Sequence, residues 1–124
     1  MDMLQPGILL ISDPFLKDPN FLRTVVLLCE HQDEGSFGFV LNKQLAITLE
    51  DVMPAAGGLR IPLLEGGPVQ KDTLHFLHRR PDLISGSIEV TDHVFWGGDF
   101  SEVLSLLQTK KLSPDELRFF IGYS

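Results

Sequence analysis

An α+β fold follows from three observations on this chain of 124 residues. Its apolar runs are short and stop at Gly, Pro, Asn or Asp, which suits buried strands better than helices. Residues 36–41 alternate in polarity, the period of a strand with one face turned inward. Helical spacing occurs at isolated places and not after every strand, so a repeating β-α-β unit is not indicated.

Ile8 to Ile11, between Pro6-Gly7 and Ser12-Asp13-Pro14, reads as a buried strand, and Lys17 to Asn20 as a loop. Thr24 to Cys29 is apolar throughout and opens with β-branched residues, the pattern of a central strand covered on both faces. His31 to Gly35 is read as a turn into a hairpin partner, Ser36 to Leu41. Phe37, Phe39 and Leu41 share one face of that strand; Ser36, Gly38 and Val40 share the other. Gly38 leaves a gap that another backbone or a ligand can approach. Thr48 to Asp51 has the form of a capping box for a short helix ending by Pro54, and Ala55 to Leu59, with Gly57-Gly58, is expected to be flexible.

Leu63 to Glu65 reads as a short strand running into Gly66-Gly67-Pro68. Thr73 to His78 reads as another, with Leu74, Phe76 and His78 on one face and Thr73, His75 and Leu77 on the other. Ile88 to Val90 is a third, and Gly97-Gly98 a turn. Asp99 then caps the clearest helix, whose apolar stripe is Phe100, Val103, Leu104 and Leu107, with Glu102 placed to complete a reciprocal cap. Lys110-Lys111 close it, where cations favour the negative end of the helix dipole. Ser113-Pro114 opens a second short helix, and Leu117 to Tyr123 is the last strand.

Composition narrows the function. The 44% hydrophobic content is that of a globular core, and no apolar run approaches the roughly 20 residues a membrane-spanning helix needs. The start, MDMLQPG, has no basic segment leading a long apolar one, and the one cysteine, Cys29, cannot form an internal disulfide. A cytoplasmic protein is the expectation. A net charge of −7 with only 10 basic residues argues against direct nucleic-acid binding, which depends on neutralising phosphates. His78-Arg79-Arg80 and Lys110-Lys111 are expected to be solvated surface. The chain stops within an apolar strand, whereas domains usually end on a polar tail. This predicts a single domain over residues 1–124, shortened at its C-terminus. A shortened sheet would expose an unpaired edge and favour homo-oligomers.

The order of motifs carries more than any one of them. Gly7-Ile-Leu-Leu-Ile-Ser-Asp-Pro14, Phe21-Leu-Arg-Thr-Val-Val26, His31, Gly35-Ser-Phe-Gly-Phe-Val-Leu-Asn42, Gly66-Gly-Pro-Val69, Leu77-His78 and Phe119-Phe-Ile-Gly-Tyr123 follow one another over essentially the whole chain. In that order they resemble the AlgH/YqgE family of bacterial proteins. The resemblance implies a bifurcated mixed β-sheet folded into a pseudo-barrel with flanking helices. It also implies a continuation after the Gly-Tyr motif, through a Gly-Trp segment and a Gly-Gln-Leu element, that this sequence lacks. One branch of the family is named for control of alginate production, and a transcriptional-regulator label comes with it. The sequence shows no pair of short adjacent helices suited to a DNA-binding helix-turn-helix.

Reactive residues give no converging set by pattern. The histidines are His31, His75, His78 and His93. A zinc site needs three or four converging ligands, but His75 and His78 face opposite sides of their strand. Cys29 and His31 would share a face only if their strand continued. No metal and no cofactor are expected, and Cys29, in an apolar run, is expected to be inert. Asp13, Asp18, Asp33 and Glu34 sit in turns. Ser124 follows Gly122-Tyr123 but has no glycine after it to make a nucleophile elbow. Gly66-Gly67 and Gly97-Gly98 could offer N–H groups to an anion, but neither fits a phosphate-loop motif, and tight turns are favoured.

What remains is polar and lies at strand ends. Antiparallel pairing brings the start of one strand near the end of the next, so Arg23 and Thr24 should approach Asn42, with Gly66, Gly67 and Pro68 walling the same end. These six residues form the candidate ligand groove, for a peptide or small acidic ligand. The competing reading is that Arg23 and Asn42 bond loop carbonyls and fix the turns. The favoured function is a non-enzymatic binding or regulatory protein acting through a protein partner or small ligand. The alternative is an enzyme whose site straddles this groove and the absent C-terminal part.

Overall fold

Short strands cannot bury their apolar faces alone, and here they sort into two sheets that cover one another. The computed structural model describes residues 6–7, 9–11, 25–32 and 35–124. In chain order the strands are β1 (Leu9–Ile11), β2 (Val25–Gln32), β3 (Gly35–Val40), β4 (Gln44–Thr48), β5 (Pro62–Glu65), β6 (Val69–His78), β7 (Ile88–Thr91), β8 (Val94–Trp96) and β9 (Leu117–Tyr123). The helices are α1 (Leu49–Val52) and α2 (Phe100–Gln108). The small sheet has the order β1-β2-β3 and the large one β4-β5-β9-β6-β8-β7. Every neighbouring pair is antiparallel except β5 and β9, so the large sheet is mixed.

The large sheet is the middle layer, and successive residues of its strands serve opposite cores. Leu63, Phe76, Leu117 and Phe119 turn to one side, where Leu49 of α1 and Val103 and Leu107 of α2 cover them. Leu64, Leu77 and Phe120 turn to the other, against Leu27, Cys29 and Phe39 of the small sheet. Across that second core the rings of Phe39 and Phe120 stack at 4.8 Å. Burying each such ring stabilises the fold by about 1.5–3 kcal/mol. The consecutive burial of Leu27, Leu28 and Cys29 matches the expectation of a central strand covered on both faces.

The two sheets join along one seam. Gly38 and Ser124 exchange both backbone bonds, at 3.0 and 2.9 Å, and Val40 N–H donates to the Gly66 carbonyl at 2.8 Å. Gly66 N–H in turn donates to the Ile121 carbonyl at 2.9 Å. Chains can approach this closely because Gly66, Gly67 and Gly122 lack a Cβ. One placed on Gly66 would collide with the Gly122 carbonyl, and one on Gly67 with the backbone of Tyr123. At the far edge of the small sheet, Gly7 packs against β7 by contact, its virtual Cβ 2.7 Å from Thr91 Cβ. Ladder bonds on one side and packing on the other make a pseudo-barrel, not a closed one.

Several local expectations change. His31 and Gln32 belong to β2, paired with Ser36 and Gly35, because the backbone ladder continues without apolar side chains. Cys29 is the extra residue of a bulge, since Leu28 opposes Gly38 and Glu30 opposes Phe37; simple alternation between Cys29 and His31 therefore fails. Ala55 to Leu59 is not loose: Pro54–Ala56 forms a 3-10 turn and Ala56 is fully buried. Asp99 caps α2, accepting from Ser101 and Glu102 N–H at 3.0 and 3.3 Å. Its own N–H goes to the Ser85 carbonyl, so Glu102 reaches Ser85 N–H instead and the reciprocal cap is not made. The segment after Ser113 is a single 3-10 turn, Pro114–Glu116. Lys17 to Asn20, Asp13, Asp18, Asp33 and Glu34 lie outside the described residues.

The seam makes a stability prediction. Gly66→Ala should cost roughly 2 kcal/mol in urea unfolding, the scale of overpacking against fixed backbone. Gly57→Ala, where the nearest atom would be 3.6 Å away, should be neutral or stabilise by up to about 1 kcal/mol.

Candidate functional site

At one end of the pseudo-barrel β3 leaves the small sheet, bends through residues 41–43 and enters the large sheet as β4. Leu41 N–H donates to the Val25 carbonyl at 2.7 Å, and Val25 N–H donates to Asn42 Oδ1 at 2.9 Å. Asn42 thus binds the first amide of β2, and its partner Val25 is two residues from Arg23. Arg23 and Thr24 themselves lie outside the described residues. Gly66-Gly67-Pro68 reaches the same bend through the Val40–Gly66 bond. Its glycines are buried: Gly66 N–H is engaged by Ile121, and its carbonyl also accepts from Ser124 Oγ at 3.0 Å. Asn42 and the glycine turn are brought together, each with a structural bond of its own.

Beside this bend a groove of about 340 Å³ opens between the sheets. Leu27, Leu41, Leu77 and Val94 make it apolar, and Arg79, Asp115, Glu116 and Arg118 bring charge to it. A second hollow of about 300 Å³, against Gln44, Pro62 and Leu64, shares Asp115, Leu117 and Arg118 with the first. Strand alternation explains why Arg118 is here. It lies on the same face of β9 as Phe120 and opposite Leu77 in register. Arg118 is itself exposed; the sequence reading passed over it, although a charged residue within an otherwise apolar strand was the available signal.

The other ionisable groups nearby are engaged by the fold. Arg80 binds Asp82 through two bonds, Nε to Oδ1 at 3.0 Å and Nη2 to Oδ2 at 2.9 Å, and donates Nη1 to Glu116 Oε1 at 3.0 Å. These bonds raise the Arg80 pKa and hold Asp82 below its ordinary value. Glu116 is lowered first by the Ser113 N–H it accepts, then by Arg80. His78 is 2% exposed. A backbone N–H can only donate, so the Arg80 N–H at 3.0 Å fixes His78 Nδ1 as an acceptor. Nε2 then carries the proton and donates to the Gly97 carbonyl at 3.0 Å. His75 lies on the opposite face, between Phe39 and Tyr123, with Nε2 3.0 Å from Thr73 Oγ1. Burial lowers the pKa of both histidines. Cys29 is buried and its thiol is pushed up to about 12 by desolvation. Among the described residues no three His, Cys, Asp or Glu side chains converge, and no helix is long and apolar enough to cross a membrane.

Fold and site define an α+β protein in which two joined sheets enclose an apolar interior, open at one end as a groove with charged walls. The AlgH-like family (DUF179) matches residues 9–124, and the chain belongs to that family. It is 46% identical over 123 residues to a UPF0301 protein of Chlorobium limicola, and 45% identical over 123 residues to one of Cytophaga hutchinsonii. Those matches cover 99% and 98% of this chain but 66% and 68% of the relatives, so the chain spans about two thirds of their length. The solution structure of AlgH from Pseudomonas aeruginosa is similar, with a TM-score of 0.71 and 26% identity over 100% of this chain and 70% of that one. A crystal structure from Corynebacterium diphtheriae shares the fold, with a TM-score of 0.76 and 19% identity over 99% of this chain and 66% of that one.

Two predictions follow from the engaged groups. A folded-state pKa below the ordinary 6.5 means that the unfolded chain takes up the histidine protons first. The contribution of His75 and His78 is therefore complete above that value and is lost as pH falls below it. Unfolding free energy should decline between about pH 7 and pH 5, and His75→Gln should remove part of that slope. For Cys29, thiol-reactive reagent at mildly alkaline pH should react roughly a thousandfold more slowly with the folded than with the unfolded chain, in proportion to thiolate. Equal rates would contradict the burial.

Proposed function

We propose that this chain is a cytoplasmic binding protein that acts through a ligand or protein partner held at the open end of the pseudo-barrel. The observation that carries this reading is the apolar groove between the sheets beside Asn42 and the Gly66-Gly67-Pro68 turn. Arg23 and Thr24, which directly precede β2 in the sequence, are included in the proposed edge on that ground alone. The state of the reactive side chains supports binding over chemistry. Cys29 is a buried thiol, His78 has both ring nitrogens engaged, and Arg80 is held by two carboxylates.

A regulatory role fits this reading if it is exerted through a partner. The charge of −7 disfavours direct contact with DNA, whose binding draws on phosphate neutralisation. Self-association through an outer strand of the large sheet, β4 or β7, is part of the proposal. The enzyme reading is favoured by one observation: the relatives carry a further third of chain that could add groups to the groove.

Chemical-shift mapping with a panel of short peptides and small organic acids tests the binding reading. Perturbations should cluster at Leu27, Leu41, Asn42 and Leu77. Perturbations scattered over α2 and β7 would remove the groove, and turnover of a bound compound would favour the enzyme.

A further inference from the structure

We propose that the groove takes an aliphatic carboxylate and that Arg118 is its anion-binding group. This rests on reading the groove as a ligand site and names the chemistry of what it holds.

Arg118, on the groove, and Arg80, next in sequence to the groove residue Arg79, differ in how they are satisfied. Arg80 makes three bonds to carboxylate oxygens. Arg118 donates one N–H, from Nη1 to the Leu117 carbonyl at 3.0 Å, and among the described residues no carboxylate lies within ion-pair distance of it. The bond to Leu117 turns the guanidinium back along β9, beside Leu77 and on the face that carries Phe120. The rest of the planar fork, which matches a carboxylate bidentately, remains available where two hollows meet. Arg79, exposed on the same groove, adds a second positive charge.

The remaining walls limit the kind of anion. Leu27, Leu41, Leu77 and Val94 offer no polar side-chain atom, so the body of the ligand is hydrocarbon. A volume of about 340 Å³ suits a small molecule. Asp115 borders both hollows, Glu116 lines the first, and the chain as a whole is acidic, so a phosphate dianion or other polyanion would meet at least about twice the repulsion that a single carboxylate meets. A monoanion with an apolar tail matches the aliphatic walls and the two arginines, and of the anions it meets the least repulsion from Asp115 and Glu116.

The test titrates decanoate, and decanol as its uncharged counterpart, into the methyl- and amide-labelled chain. Decanoate should shift the methyls of Leu27, Leu41, Leu77 and Val94 and should bind at least about tenfold more tightly than decanol. Arg118→Gln should remove that preference, and Arg118→Lys should retain part of it. The decanol comparison on the unaltered chain keeps the result independent of how either variant folds. Equal binding of the two probes, with the same methyls shifted, would overturn the carboxylate assignment and leave the groove standing. No shift of those methyls by either probe would overturn both.

Discussion

The join between the small and large sheets governs the rest of this molecule. Gly66, Gly67 and Gly122 let the turn after β5 lie against the end of β9, so that Gly66 and Ser124 present the backbone groups to which β3 bonds. A side chain on Gly66 would strike the Gly122 carbonyl and the Phe39 ring that stacks on Phe120. Each backbone bond contributes only about 1 kcal/mol net. Their larger effect is geometric, because they fix where β3 ends and bends. From that bend Leu41 turns into the groove and Asn42 meets the start of β2, while Lys43 receives the Glu65 N–H at 2.7 Å as β4 begins. The groove is thus a product of the join.

The electrostatics divide in the same way. His78, Arg80, Asp82 and Glu116 bind one another or nearby backbone and tie the end of β6 to the segment leading into β9. Their perturbed pKa values report this structural bonding together with burial. Arg118, two residues beyond Glu116, has only a backbone carbonyl as its described partner. Perturbed groups are often taken as marks of function, but here the guanidinium that no carboxylate engages, at the edge of an apolar groove, is the stronger pointer to a ligand.

Much of the fold was legible in the sequence. The pairing of β2 with β3, the two faces of β6, the Asp99 cap and the bounds of β9 all follow from period-2 or helical spacing with turn residues at the ends. β4 and β8 were not legible, because a three-residue strand or a largely exposed one has too little pattern and takes its order from neighbours distant in sequence. Gly38 was recognised as a place of close approach, and the approaching backbone is that of Leu27 and Leu28; its exchange of bonds with Ser124 depended on a contact across the whole chain. Two of the approaches expected at the candidate site were legible. Asn42 does meet the start of β2 and Gly66 does reach the same bend, while the groove itself lies one step further along the barrel mouth. Arg118 is exposed, and its place at the edge of this groove follows only from β9 lying between β5 and β6.

Native-state amide hydrogen exchange tests the join most directly. If β3 is bonded to β9 and to the turn after β5, the amides of Gly38, Val40 and Ser124 should exchange as slowly as those of Phe119 and Phe120 in the centre of the large sheet. Exchange of those three amides at the rate of an exposed loop would mean that the sheets are not joined there, and the groove between them would have no fixed walls.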